Sequence, residues 1–537
     1  MFNTILVRGF SVEKRSLMPA VLLITPLIIS CFTHIWNPLG FPAMHVDEGH
    51  YMRRAMQLLE GLGPQEPTTT YVFAYDHPYF GQLFLAASLS LIGYPDSLTP
   101  TIGNEYSIEM LYLVPRILIG MLAVIDTFLV YKIAETRYNR RIAFIAATLF
   151  AVMPLSWMLR GIFLDSILLP FFLLSILFAI YSNKVSNYNS NLGNLLVLLS
   201  GIFLGIAIFT KAPLLFAIPL IIFLLIEKNK IRRKKRIAFG AIPIFLIPLI
   251  WPAYAVWTGG LNEWLNGIFY QLERESVTSL SHSLSLVYQI DPVLLIISLA
   301  GLAYSVVRRD FFPLLWIAPF LIFFYRSGWV THFHWIILLP ALCIASALLF
   351  DIYFERIKSN KFLSISRYVV LSAVLIFSLT STVALITANL NSSYFQLYSY
   401  VVGEMQDLST NYNYSSSNDP VTIVGGHRVK ALTWIPQYVF NYPIFFRDID
   451  NPFDRFASPI NTKDIIFIAD GGLRSRFYPL IYGDNSMDAK TREVSEIYYN
   501  ATTVATFNDR TRVDQYPAVN VEENHGLGHF VEVREKH

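Results

Sequence analysis

Apolar stretches close to the ~20 residues that cross a bilayer as a helix recur from Leu17 to Ala388 and then stop. Hydropathy places about eleven spans, near residues 17–35, 110–132, 142–159, 165–182, 192–210, 212–227, 237–257, 290–307, 311–326, 333–352 and 368–388. The run at 212–227 is short, so 192–227 reads either as one long helix or as a helical hairpin; Pro213 after Lys211 favours the hairpin. Past Asn389 the pattern changes to the polar stretch NYNYSSSND, followed by the strand-like runs VTIVGG and DIIFIADGG, each ending in a Gly pair. The expected fold class is therefore an all-α polytopic membrane domain, residues 1–388, followed by a soluble α/β domain, residues 389–537.

Charge placement gives the expected orientation. With a cytoplasmic amino terminus, the inner segments collect Arg8, Lys14, Arg15, Arg137, Arg140, Arg141, the run KNKIRRKKR (Lys228 to Arg236), Arg308, Arg309, Arg356, Lys358 and Lys361, whereas the outer loops are poor in Lys and Arg. An odd number of spans then puts the carboxy-terminal domain on the extracytoplasmic side, together with the three N-x-Ser/Thr sequons at Asn391, Asn413 and Asn500. The first span is too long for a signal-peptide core and lacks a small-residue cleavage site, so it is expected to be retained. The basic run could hold acidic lipid head groups or simply set topology; topology is the plainer reading.

Composition agrees with a chain mostly in lipid: 54% hydrophobic and 15% charged residues, against roughly 45–50% and 25% in soluble domains. A formal net charge of +3 gives no reason to expect a nucleic-acid partner. Cys31 and Cys343 both fall inside spans and read as packing residues. There is no short internal repeat of the kind that builds many carriers.

The loop between the first two spans, residues 36–109, is far longer than the roughly two to eight residues usual between packed helices, and such excess is commonly functional. It opens with HVDEGHYMRRAMQLLEG, in which Asp47 and Glu48 precede a helical stretch from Tyr51 to Glu60. After the break Gly61-Leu62-Gly63-Pro64 comes YDHPYFGQLFLAASLSLIGYP, apolar but short, which fits a helix lying in the outer interface. Adjacent acids at a helix start favour the dipole and cap the first turn; at a membrane boundary they also suit chemistry on a lipid-borne substrate. Further charges stand at outer helix ends: Arg160 and Asp165 in RGIFLDSILLP, Lys211 closing GIFLGIAIFTK, Arg326, and His332-Phe333-His334.

In their order and shared outer placement, the Asp47-Glu48 pair, the downstream Asp76-His77-Pro78, the run RGIFLDSILLP and Lys211 resemble the GT-C glycosyltransferases, in particular the protein O-mannosyltransferases and the aminoarabinose and related lipid-linked-sugar transferases. The resemblance covers about residues 15 to 390. It implies inverting transfer of a sugar such as mannose from a polyprenyl-phosphate carrier to a protein, lipid or glycan acceptor outside the membrane. Asp47 matches the family's catalytic aspartate and is expected to be the general base. Glu48 is its helper, orienting groups or raising a pKa by like-charge repulsion. Asp165 is a second acidic site residue that places the acceptor or Lys211, and Arg160 pairs with Asp165 or meets the donor phosphate. Lys211 is expected to stabilise the departing phosphate rather than merely snorkel, with Arg326, His332 and His334 as further donor-phosphate ligands. His50 and His77 line the acceptor groove or are packed, satisfied histidines. Arg53, Arg54 and Arg116 are expected to be anchors or ion-pair partners. A divalent metal on His332 and His334 is chemically conceivable, but the sequence supplies no second ligand cluster near them. Other classes remain open: a transporter or lipid flippase using Asp47, Asp165 and Lys211 as coupling charges, or a non-catalytic membrane scaffold.

Overall fold

The computed structural model of the protein describes residues 18–65, 75–185, 190–227, 233–273, 279–327, 330–356, 361–411, 421–442, 444–448, 465–470, 489–508 and 530–536. The helices are α1 (Met18–Ile35), α2 (Val46–Leu59), α3 (Phe80–Ser90), α4 (Glu105–Arg137), α5 (Arg140–Val152), α6 (Leu164–Val185), α7 (Ser190–Thr210), α8 (Ile218–Ile226), α9 (Arg233–Leu246), α10 (Ile250–Trp257), α11 (Leu261–Glu273), α12 (Leu280–Ile290), α13 (Pro292–Val307), α14 (Phe312–Arg326), α15 (Leu339–Arg356), α16 (Lys361–Ile386) and α17 (Ser392–Asn411). An apolar helix stands at each of the spans expected from hydropathy, but the regular crossings expected there are not uniform. Among the described residues, five stretches have the length and hydropathy to cross a membrane (Glu105–Arg137, Leu164–Val185, Asn191–Thr210, Lys234–Trp257 and Tyr368–Ile386), and two sharply bent pairs raise this to seven.

The physical reason is that several apolar runs break into a tight 3₁₀ turn joined to a helix. Such turns stand at Pro154–Arg160, Ala212–Ala217 and His332–Ile337. Pro154 and Pro213 lie at the first positions of their turns, where proline's missing N–H costs nothing. The break after Thr210 divides 192–227 into two helical pieces, the hairpin form of the two readings. These breaks also carry Arg160, Lys211 and His332, so the irregular backbone brings polar side chains into an otherwise apolar bundle.

The bundle core is aromatic and aliphatic. Trp157, Phe150, Phe172, Trp316 and Phe320 are fully buried, and Phe172 meets Trp316 edge to face at 5.3 Å. At the opposite end from the outer loop, Arg137 donates to Glu227 and, at 3.1 Å, to Asp310. Of the basic run, residues 228–232 lie outside the described residues; Arg236 is turned inward, donating to Leu225 O at 3.0 Å and to the Ser182 hydroxyl at 2.5 Å. That residue therefore ties α9 to α6 rather than facing a lipid head group.

The carboxy-terminal part forms a five-stranded sheet from β1 (Val421–Gly425), β2 (Ile444–Asp448), β3 (Ile465–Ala469), β4 (Thr502–Asn508) and β5 (Phe530–Lys536), in the order β2-β1-β3-β5-β4. The two runs read as strands from sequence are β1 and β3, side by side and parallel, while β5 joins β3 and β4 antiparallel. Both β1 and β3 are buried along their length, which is why they read as continuous apolar runs. Helix α17 and this sheet share one core with the first outer loop. Met52, Ala55 and Met56 of α2, Tyr112 of α4, Tyr398 of α17 and Ile423 and Trp434 of the tail belong to a single buried cluster. At Gly49 a Cβ atom would lie 2.3 Å from the Ala431 carbonyl oxygen, so only glycine lets α2 press this close to the tail. Arg53 donates to Thr433 Oγ1 at 3.0 Å, and Gln57 to the Tyr438 hydroxyl at 2.9 Å, across the same seam.

The sequons do not share one environment. Asn391 is fully buried and donates to Leu39 O at 2.7 Å and Pro42 O at 2.9 Å, so it is a structural clamp; Asn500 is exposed, and Asn413 lies outside the described residues. Cys31 and Cys343 are both free thiols.

Candidate active site

The site is built around the amino end of α2. His45 is its N-cap, its Nδ1 accepting the Asp47 N–H at 3.2 Å, and Glu48 Oε2 reaches back to accept the His45 N–H at 3.2 Å. Glu48 is fully buried and also accepts from the Tyr112 hydroxyl, from Arg116 at 2.8 Å and, through Oε1, from the Ile162 N–H at 2.8 Å. Of the two roles expected for Glu48, orienting groups or raising a pKa, the geometry speaks to the first: it is paired with Arg116, and both its oxygens hold the end of α2 against α4 and the segment before α6. Of the two acids, only Glu48 spends its carboxylate on capping the helix.

Asp47, by contrast, keeps a third of its side chain exposed and lies 3.8 Å from His45 Nδ1. Burial alone would raise its pKa, but His45, His50, His77 and the Lys211 ammonium outweigh it and hold the carboxyl below its ordinary value, so Asp47 is ionised at neutral pH. The field of Lys211 reaches Asp47 although the two residues come from opposite sides of the site.

Asp165 sits in the first turn of α6 and Lys211 in the break after α7; both are buried, and Lys211 Nζ donates to Asp165 Oδ2 at 2.6 Å. The ammonium also lies 5.3 Å from the centre of the Phe333 ring. That ring stacks on Phe163 at 5.1 Å and meets His45 edge-on at 5.5 Å, so it is the wall joining the Asp47 cap to the Lys211 ion pair. Arg160 does not take part in this pair. It is buried and donates to the carbonyls of Thr33 (3.3 Å), Asn37 (2.9 Å) and Trp36, closing the carboxy end of α1. The assignment of Arg160 to the donor phosphate or to Asp165 is corrected accordingly, because three backbone acceptors already hold its guanidinium.

The third side is the segment before α3. Asp76 accepts an ion pair from Arg54 at 2.8 Å, and His50 Nε2 stands 3.6 Å from its other oxygen. Burial would raise the Asp76 pKa, yet Arg54 and the neighbouring histidines drive it well below the carboxylate range. Burial lowers His77 from 6.5 to about 4, against the pull of Asp76. His50 and His77 therefore border the same site as Asp47. Because the His77 pKa falls on folding, its neutral ring contributes stability that is complete above pH 6.5 and lost as pH falls through about 4. Thermal melts in detergent should show the unfolding midpoint dropping across that window, and a His77→Gln variant should flatten the slope.

Arg326 is exposed at the last position of α14. His332 is buried against Trp157, ring centres 5.4 Å apart. His334 accepts the Thr331 N–H at 3.1 Å and stacks on Phe333 at 4.7 Å. The two histidines thus buttress the Phe333 wall, His332 meeting its ring edge-on at 5.6 Å. Among the described residues no group of three or more His, Cys, Asp and Glu is spaced to hold a metal ion. His45, Phe163 and Tyr112 do not stand out in the sequence, and although Arg54 and Asp76 are each marked there, nothing local pairs them; the one signal for the first three is a position in the chain near Asp47, Asp165 and Arg116.

A family model described as dolichyl-phosphate-mannose-protein mannosyltransferase matches residues 69–254, a stretch that includes Asp76, His77, Asp165 and Lys211. No curated protein matches the chain in sequence. The fold is similar to the crystal structure of the Archaeoglobus fulgidus oligosaccharyltransferase in its apo form, with a TM-score of 0.59 at 12% identity over 94% of this chain and 76% of that one. It is also similar to ArnT from Cupriavidus metallidurans bound to undecaprenyl phosphate, with a TM-score of 0.54 at 11% identity over 97% of this chain and 98% of that one. The shared architecture is that of the GT-C fold. The likeness to these two structures is one of fold, and the family match covers about a third of the chain.

Proposed function

We propose that this protein moves a sugar from a polyprenyl-phosphate carrier to an acceptor hydroxyl on the extracytoplasmic face, with Asp47 as general base. The observation that carries the reading is the convergence of an ionised Asp47 with the buried Lys211–Asp165 pair around the Phe333 wall. The structures similar to this chain include one with undecaprenyl phosphate and one with an inhibitory peptide and a dolichol-phosphate, which supports a lipid-phosphate donor and a polypeptide acceptor. The family match makes mannose the first sugar to test.

In the reaction, Asp47 takes the acceptor hydroxyl proton as the oxygen attacks the anomeric carbon. The bond from that carbon to the phosphate oxygen breaks, and the electron pair leaves on the polyprenyl phosphate. Lys211 stabilises the charge that grows there, while Asp165 holds the ammonium in place when no donor is bound. Glu48 and Arg116 keep the backbone of Asp47 fixed relative to α4 and α6. The arrangement fits transfer better than transport, because Asp47, Asp165 and Lys211 all lie at helix ends rather than at mid-span.

Purified protein in liposomes, given labelled mannose on a polyprenyl phosphate or on a nucleotide together with a Ser/Thr-containing peptide, tests the donor class. Transfer only from the lipid-linked donor is expected; transfer from the nucleotide sugar would overturn the assignment.

A further inference from the structure

We infer that α11 (Leu261–Glu273) is a membrane-interface helix, and that its seat in the outer leaflet holds the Tyr75–His77 segment of the site in place. Three residues separate the helix from the end of the Lys234–Trp257 stretch, and Trp257 itself is 83% exposed. At 3.6 residues per turn, α11 presents three distinct faces. Gly267, Trp264 and Ile268 turn toward the protein, where Trp264 packs edge-on against Trp251 at 5.5 Å. Asn262, Glu263, Asn266 and Glu273 form a polar face. Between the two lies an apolar stripe of Leu261, Leu265, Phe269 and Leu272, at spacings of four, four and three, with Phe269 52% and Leu272 74% exposed.

A helix with protein on one side, polar groups on another and an exposed apolar stripe between them is built for a boundary between water and hydrocarbon. In water, such a contiguous stripe would be a liability. The occupant of this face is the outer leaflet itself, because the stripe continues directly from a helical stretch that faces lipid over most of its surface.

The protein face of α11 then meets the site. A Cβ atom at Gly267 would lie 2.5 Å from the Tyr75 carbonyl oxygen and 3.2 Å from the Asp76 N, and one at Gly260 would lie 2.9 Å from the Tyr75 ring. The Tyr75 hydroxyl shares a hydrogen bond of 2.8 Å with Thr258 Oγ1. The backbone carrying Asp76 and His77 is thus clamped by a helix whose other flank rests on the bilayer. Lipid contact on one side and alignment of Asp76 on the other become two ends of one rigid element. This predicts that the bilayer surface, beyond supplying the donor, is a structural ligand of the site.

Two measurements test it, and neither depends on sugar transfer, so failure here is separable from failure of the glycosyltransferase reading. Nitroxide labels at Phe269→Cys and Asn266→Cys, in a Cys31→Ser background and in phosphatidylcholine vesicles, are compared for collision with oxygen and with a water-soluble nickel chelate. The label at 269 should favour oxygen over nickel by roughly tenfold relative to the label at 266; equal ratios overturn the bilayer contact. In the same vesicles, amide exchange of the Tyr75–His77 segment should quicken about tenfold in Phe269→Asp while the α2 amides hold their protection. Unchanged exchange at Tyr75–His77, or a rise spread evenly over α2 as well, overturns the clamp.

Discussion

Asp47→Asn is expected to lower kcat for sugar transfer by about 10²–10⁴ while leaving the KM for the lipid-linked donor within a few-fold, the signature of a lost proton acceptor. The asparagine is nearly isosteric. The His45 cap uses the Asp47 backbone N–H, not its carboxylate, so the helix end stays folded. The Glu48 knot with Arg116, Tyr112 and Ile162 is likewise untouched. Because the Asp47 carboxyl is held below its ordinary pKa, the wild-type rate should be flat through neutral pH and fall only when the medium becomes acid enough to protonate it. A steady-state pH profile of wild type and variant checks both statements.

Lys211→Met is the second large effect, and it has two parts that can be separated. Removing the ammonium leaves Asp165 buried without its partner, which for a buried pair costs about 3–5 kcal/mol of stability. It also removes the cation proposed to stabilise the leaving group, worth about 10²–10³ in kcat. The double variant Asp165→Asn/Lys211→Met should regain most of the stability, because no charge is then left buried and unpaired. It should not regain transfer. Recovery of both would reduce Lys211 to a structural counter-ion for Asp165.

The parts of the molecule that were legible in the sequence are those written in short-range pattern. Apolar runs marked the helices, the Gly-ended apolar pentads marked β1 and β3, and the order Asp47, Asp76-His77, Asp165, Lys211 carried the resemblance that the shared fold supports. What remained hidden depends on partners far away along the chain. Arg160 looks like any cation at an outer helix end until the carbonyls of Thr33, Trp36 and Asn37, more than a hundred residues upstream, are seen to hold it. Glu48 differs from Asp47 only in facing Arg116 and Ile162, which no local rule discloses. Helix α11 escaped hydropathy because polar Asn262, Glu263 and Asn266 fall between its apolar positions along the chain, and a 13-residue helix is too short to read as a span. The strand order, with β5 inserted between β3 and β4, likewise depends on a return from the end of the chain.

Asp47 is proposed to act as a base on the acceptor and not as a nucleophile on the sugar. Direct attack by the hydroxyl displaces the phosphate once and inverts the anomeric centre, whereas a covalent sugar–carboxylate intermediate would displace twice and retain it. Proton NMR of the glycosylated product, made from a lipid-linked donor of known anomeric configuration, reads the outcome directly. The proposed mechanism predicts the inverted anomer from wild-type protein; the retained anomer would contradict the proposal of Asp47 as general base.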